Sequence, residues 1–178
     1  MIPCFYQTNI VFIDDNLTYL KILTNNLKED LGSFTLFSDP LEAYNYIINS
    51  NSSIIEDFIT SGVEDYFEQK KLNINIKDLH KIRYNNNKQN EIAVIVVDYD
   101  MKNMNGIELC HKLHDTKIKK ILLTGIADAN TAVEAFNKGI IDAFIVKGDN
   151  NLNNILINTI KKLEAEYFAE ITKAVTEA

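Results

Sequence analysis

Short apolar runs alternate along this chain with segments in which apolar residues recur every three or four positions. The runs are nearly continuous, which is typical of strands buried on both faces of a parallel sheet. They lie at residues 9–13, 34–37, 92–97, 120–123 and 144–146. Five strands that alternate with helices predict an α/β fold with a doubly wound, five-stranded parallel sheet.

The segments between the runs carry signals for the ends of helices. Asn16 is a favoured cap for a first helix, and Pro40 stands in the first turn of a second. A turn at 105–106 precedes the third helix, and Gly139 follows the end of the fourth. The second helix is expected to bury one apolar face, formed by Leu41, Tyr44, Ile47 and Ile48.

Polar residues follow the predicted strands directly, at the points where the apolar runs stop. They are Asp14 and Asp15, Asp98, Thr124 and Lys147. The carboxyl ends of parallel strands share one edge of the sheet, and open α/β sheets bind their ligands beyond that edge. We therefore expect these side chains to converge on one site, although they are far apart in sequence.

Three converging carboxylates repel one another unless a cation joins them. Mg²⁺ is a suitable partner because it takes one or two carboxylates and leaves room for phosphate oxygens. A lysine can neutralise a phosphoryl group, and a threonine hydroxyl can bond one of its oxygens. An aspartate can act as the nucleophile and form an acyl phosphate. The residues thus indicate Mg²⁺-dependent phosphoryl transfer onto, or by way of, an aspartate.

Four segments of the chain resemble the receiver domains of two-component response regulators. They are Phe12-Ile13-Asp14-Asp15, Val97-Asp98-Tyr99-Asp100-Met101-Lys102-Asn103-Met104-Asn105-Gly106, Leu123-Thr124-Gly125 and Phe144-Ile145-Val146-Lys147. Their order, their spacing and their places at strand ends agree with the family apart from one enlarged gap. The resemblance implies a flavodoxin-like receiver fold.

The resemblance also assigns a phosphoacceptor and a metal site. Asp98 matches the residue that accepts the phosphoryl group. Asp15 matches a direct ligand of Mg²⁺, and Asp14 matches a partner that acts more through water. The backbone carbonyl of Asp100 matches the third protein ligand.

A second group of residues matches the switch of the family. Thr124 matches the hydroxyl that turns toward the phosphoryl group, and Lys147 matches the lysine that pairs with it. Phe144 matches the aromatic that changes rotamer as signal output, and Gly125 a position kept small for the phosphodonor. The chain departs from the family pattern at Lys102 and Gly148, where proline is usual. Asp100 and Ile126 depart as well, and add a negative charge and apolar cover beside the site.

The resemblance implies a phosphorylation-dependent signalling switch whose donor is a histidine kinase or phosphotransfer protein. Its catalysis would be limited to accepting and hydrolysing its own phosphoryl group. Two alternatives stay open. One is a phosphate-independent, receiver-like scaffold. The other is a phosphatase with an aspartate nucleophile, since the spacing of Asp98 and Asp100 supplies a nucleophile and a general acid.

The predicted receiver core spans residues 1–150 and contains one enlarged connection. Residues 50–91, between the second helix and the third strand, form a predominantly helical insert. The final helix, within 151–178, is longer than the sheet requires. We expect it to extend toward a partner in a homodimer or toward an unknown output domain or protein.

Composition narrows the classes of partner and the cellular compartment that we expect for this protein. A net charge of −7 disfavours direct binding to nucleic acid, and no apolar stretch approaches the length of a membrane span. Two cysteines, Cys4 and Cys110, provide neither a disulfide framework nor a metal spacing. These features indicate a protein of the reducing cytoplasm.

Overall fold

The computed structural model describes residues 8–27, 31–50 and 91–173. Its five strands form one parallel sheet in the order β2-β1-β3-β4-β5. The strands are β1 Asn9–Ile13, β2 Ser33–Phe37, β3 Ile92–Asp98, β4 Lys119–Thr124 and β5 Ala143–Val146. The helices are α1 Leu17–Asn25, α2 Pro40–Ser50, α3 Gly106–Lys112, α4 Ala129–Asn137 and α5 Leu152–Ile171. The predicted flavodoxin-like fold is confirmed.

The direction of winding reverses between β1 and β3. The chain moves from β1 to β2 on one side and then returns to place β3 on the other side of β1. Such a reversal opens a crevice at the carboxyl ends of the two strands. Ile13 pairs with Val97 in the sheet, so Asp14 and Asp98 are the next residues on the two neighbouring strands.

The core consists of two apolar layers, one on each face of the sheet. Ile10 and Phe12 of β1 point into a layer shared with α1 and α5. Val11 and Ile13 point into the opposite layer, which contains residues of α2, α3 and α4. Because both faces of β1 are covered, all five of its residues are buried, which explains its nearly continuous apolar sequence.

The prediction for the apolar face of α2 is partly wrong. Leu41 is 57% exposed and Ile48 is 45% exposed, whereas Ala43 and Ile47 are completely buried. Ala43 and Ile47 are four residues apart and therefore share one face of the helix. The sequence pattern favoured the large residues Leu41 and Ile48, whereas the face toward the sheet includes the small residue Ala43.

The final helix buries its distal half against the chain itself. Tyr167, Phe168 and Ile171 belong to the same apolar layer as Phe12. Glu164 accepts a hydrogen bond of 2.7 Å from the Thr8 hydroxyl, and both residues are buried. An onward connection to a partner stays a prediction, but the apolar stripe as far as Ile171 is already covered.

Two predicted segments fall largely beyond the part of the chain that the structure describes. They are the insert, of which residues 51–90 are not described, and the end of the final helix at 174–178. Within the described ranges, no helix has the length and apolarity needed to cross a membrane.

Candidate functional site

Three aspartates meet at the carboxyl ends of β1 and β3. Carboxylate oxygens of Asp14, Asp15 and Asp98 all lie within 4.8 Å of one another. Asp14 is 1% exposed and Asp98 is 7% exposed, whereas Asp15 faces solvent. The three carboxylates converge as the strand ends predicted, and the structure adds that two of them are buried and one is accessible.

The Asp14 carboxylate is held by hydrogen bonds from two directions. One oxygen, Oδ1, accepts from the backbone N–H of Asn16 at 2.8 Å. The other, Oδ2, accepts from the Lys147 ammonium at 2.7 Å. Asn16 in turn caps α1 by accepting the Tyr19 N–H at 3.1 Å, so the carboxylate is anchored to the start of a helix.

The backbone of Asp98 is approached closely by Gly106. A Cβ atom at Gly106 would lie 2.2 Å from the carbonyl oxygen of Asp98 and 2.8 Å from the Leu122 side chain. No side chain fits at such distances, so the glycine is required by packing. The sequence indicated only a turn at this position, because the contact joins α3 to a strand end that precedes it in the chain.

Lys147 bridges the two buried carboxylates. Its Nζ lies 2.7 Å from Oδ2 of Asp14 and 2.9 Å from Oδ1 of Asp98. Burial alone would lower the pKa of Lys147, but hydrogen bonds to both carboxylates and their negative charges outweigh that effect and raise the pKa above its ordinary value. The ammonium is therefore held in its charged form.

At Asp98, by contrast, the surroundings disfavour the charged form of the side chain. Burial raises the pKa of Asp98 above its ordinary value, the hydrogen bond from Lys147 opposes that rise, and the charge of Asp14 adds to it. A second cation beside the carboxylates would favour their ionised forms. The cluster thus has the electrostatic character of a cation site.

An aromatic ring completes the surroundings of Lys147. The ammonium lies 4.6 Å from the centroid of the Tyr19 ring. The Tyr19 hydroxyl is buried and has no hydrogen-bond partner in the described part of the chain, and burial raises the pKa of this phenol. Sequence reasoning missed Tyr19, because its contact joins α1 to Lys147, which directly follows β5 and is distant in sequence.

Thr124 and Phe144 lie on neighbouring strands. The hydrogen bond of Thr124 and the ring contact of Phe144 are made with residues outside the acidic cluster. Thr124 is fully buried, and its hydroxyl donates to the carbonyl oxygen of Gly125 at 3.2 Å. Phe144 is half-buried and makes an edge-to-face contact with Phe136 at a centroid distance of 6.3 Å. The threonine hydroxyl therefore bonds to its own loop.

The loops around the cluster are open at several positions. Asp100 is exposed. A Cβ atom at Gly125 would meet only the Asp128 carboxylate, at an ordinary contact distance of 3.6 Å. Ile126 is 81% exposed, so it does not form a closed apolar cover. The bond from Lys147 to Gly148 is trans.

The donor atoms of the cluster suit Mg²⁺. They are carboxylate oxygens, which this hard cation prefers. Asp15 is accessible from solvent, and the single positive charge of Lys147 offsets only part of the negative charge of the three carboxylates. The residues present therefore fit the ion that the sequence predicts.

A family model for the response regulator receiver domain matches residues 53–157. The chain belongs to the response regulator receiver family. The matched range contains Asp98, Thr124 and Lys147, while Asp14 and Asp15 precede it. The resemblance to two-component receiver domains seen in the sequence is confirmed.

Solved structures agree with this assignment. The response regulator LqsR of Legionella pneumophila is similar with 29% sequence identity and a TM-score of 0.73, over 98% of this chain and 49% of that chain. A CheY-like receiver domain protein of Methanospirillum hungatei JF-1 has 21% identity and a TM-score of 0.60, over 93% and 99% of the two chains. This receiver therefore spans about half the length of LqsR. No curated protein matches the sequence.

Proposed function

We propose that this receiver domain is a phosphorylation-dependent switch in which Asp98 accepts a phosphoryl group from a histidine kinase or a phosphotransfer protein. The observation that carries the proposal is the bridge from Lys147 to Asp14 and Asp98, beside the accessible Asp15. The Lys147 ammonium, held at this place, can pair with a phosphoryl oxygen once Asp98 carries the group.

Asp14, Asp15, Asp98 and the backbone carbonyl of Asp100 would hold Mg²⁺. The ion, when bound, supplies positive charge that offsets the carboxylates and the phosphoryl oxygens. Asp15 is the accessible member of the cluster and is suited to direct ligation. Asp14 has both oxygens engaged, with Asn16 and Lys147, which suits contact through water.

Asp98 acts as the nucleophile. An oxygen of its carboxylate attacks the phosphorus atom of the donor, and the donor's imidazole nitrogen leaves as the acyl phosphate forms. Lys147 keeps the carboxylate oriented before transfer and pairs with a phosphoryl oxygen afterwards. The site accepts the group once and returns it to water, so the protein is a switch with self-dephosphorylation.

The signal begins at Thr124. Its hydroxyl donates to the Gly125 carbonyl, and rotation about one side-chain bond would redirect it to a phosphoryl oxygen. Phe144, on the adjoining strand and half-buried, would change its rotamer in the space that this movement leaves. Phosphorylation thereby stabilises a second arrangement of the surface and changes the contacts with partners.

The output lies with another domain or protein. This chain spans about half of LqsR, which leaves room in such a relative for a further domain. The donor and the output partner both belong to signalling in the cytoplasm. A role in homodimer formation would use a surface other than the buried stripe of α5.

The deciding experiment is intact-mass measurement after incubation with acetyl phosphate and Mg²⁺. We expect an adduct of one phosphoryl group on the wild type, its loss in Asp98→Asn, and its absence when EDTA replaces Mg²⁺. Asp100→Asn is the matched control, because its exposed side chain lies two residues away, and it should still be labelled. A folded wild type that is labelled by neither acetyl phosphate nor any histidine kinase would instead support the phosphate-independent scaffold.

The same samples test the phosphatase alternative. That alternative requires the Asp100 carboxyl to act as a general acid beside Asp98, and therefore predicts turnover of a generic phosphomonoester that Asp100→Asn abolishes. A switch shows stoichiometric labelling without such turnover.

A further inference from the structure

The Lys147 ammonium lies over the ring of Tyr19. We propose that Tyr19 is a positioning residue, whose aromatic face holds the Lys147 ammonium against Asp14 and Asp98. The ammonium lies 4.6 Å from the ring centroid, within the range of a cation–π contact. This inference rests on the proposed function of Lys147 and names a further residue on which that function depends.

The ring is placed by the start of α1. Tyr19 is the third residue of this helix, and its backbone N–H is bound by the Asn16 cap. Its side chain also packs against the apolar layer that contains Phe12 and Leu20. Tyr19 is thus fixed from its backbone and from the core, and it can serve as a rigid wall for a flexible lysine.

Lys147 depends on this contact with a rigid ring because its own side chain is flexible. A lysine has a four-carbon stem and loses rotamer entropy when it is held in one position. Its side chain is 28% exposed, so solvent offers the ammonium an alternative. Two carboxylates on one side and an aromatic face on another restrict it to one position. Confinement of this kind raises the fraction of molecules that are ready to pair with a phosphoryl oxygen.

The hydroxyl of Tyr19 shows which part of the side chain matters. It is buried without a hydrogen-bond partner in the described part of the chain, an arrangement that destabilises a folded protein. The contact with Lys147 is made by the ring face, which phenylalanine also has. We therefore expect Tyr19→Phe to retain the effect and Tyr19→Leu to lose it.

The first test is the NMR signal of the Lys147 side chain, without Mg²⁺ or a phosphodonor. Protons on a methylene beside an ammonium that faces an aromatic ring are shifted upfield by the ring current. We expect this upfield shift in the wild type and in Tyr19→Phe, and its loss in Tyr19→Leu. Ordinary lysine shifts in the wild type would overturn the inference without any variant.

The second test separates the rate of labelling from the affinity for Mg²⁺. With saturating Mg²⁺, Tyr19→Leu should be labelled by acetyl phosphate about fivefold more slowly, the effect of losing one partly desolvated cation–π contact. The dissociation constant for Mg²⁺ should not rise, because the carboxylates are unchanged and a less tightly held ammonium competes less with the ion. Tyr19→Phe should restore the wild-type rate.

Tyr44→Leu is the matched control, since Tyr44 is also a half-buried tyrosine on a helix but packs in the opposite apolar layer. An equal loss of rate in Tyr44→Leu and Tyr19→Leu would overturn the inference in favour of general destabilisation. If the wild type accepts no phosphoryl group, the proposed function fails, while the NMR comparison still decides whether Tyr19 positions Lys147.

Discussion

Replacing Lys147 with methionine tests the electrostatic argument most directly. Methionine has a similar length but no charge, so Lys147→Met leaves Asp14 and Asp98 as two buried carboxylates without their shared partner. Their side chains are only 2% and 9% exposed, whereas that of Lys147 is 28% exposed. Removing one partner of a buried ion pair costs about 3–5 kcal/mol. We expect the lower end of this range, about 3 kcal/mol, because water reaches the lysine.

Mg²⁺ should reverse much of this loss. In the wild type the ammonium and the ion both seek the oxygens of Asp14 and Asp98, whereas in Lys147→Met the ion has no competitor. Binding to the folded state alone stabilises it by mass action. Saturating Mg²⁺ should therefore raise the free energy of unfolding more in the variant than in the wild type. The same variant should accept a phosphoryl group more slowly, since the pairing cation is gone.

The assay is urea unfolding of both proteins, with EDTA and with saturating Mg²⁺. Lys119→Met is a matched control, because the Lys119 ammonium lies 2.9 Å from Glu170 and its side chain is 15% exposed, away from the acidic cluster. It should lose stability that Mg²⁺ does not restore. A loss below about 1 kcal/mol in Lys147→Met, the range of exposed ion pairs, would refute the reasoning. Equal stabilisation of both variants by Mg²⁺ would refute it as well.

Two further predictions concern stability away from the phosphoryl chemistry. Gly106→Ala should destabilise the fold by about 2 kcal/mol or more, since the new Cβ would lie 2.2 Å from the Asp98 carbonyl oxygen; Gly125→Ala, where a Cβ has room, should change the unfolding midpoint little. Burial raises the pKa of Glu164, partly offset by the Thr8 hydrogen bond. The folded chain therefore holds this proton more tightly than the unfolded chain, and the associated stability is lost as the pH rises through the folded pKa. Glu164→Gln should stabilise the fold at neutral pH and flatten that part of the pH profile, and an unchanged profile would contradict the assignment.

The sequence by itself determined the order of the strands along the chain and the residues that end them. Residues 10–13 and 92–97 are apolar because each strand is covered on both faces, and the polar residue that follows marks the point where the apolar run stops. The rule that parallel strands share one carboxyl edge then brings Asp14, Asp98 and Lys147 together. These inferences need only local pattern and topology.

Only the tertiary structure decided contacts between elements that are distant in sequence. Glycine is needed at position 106 because the backbone of Asp98 approaches it closely. The role of the Tyr19 ring depends on Lys147, which is distant from it in sequence. The buried face of α2 depends on how closely the helix approaches the sheet. Likewise, the length of the final helix suggested that its distal apolar stripe faces a partner. In the structure, Tyr167 and Phe168 of this stripe pack into the apolar layer on one face of the sheet. Periodicity shows that a helix has an apolar face, whereas the surface that covers this face is set by the packing of the whole chain.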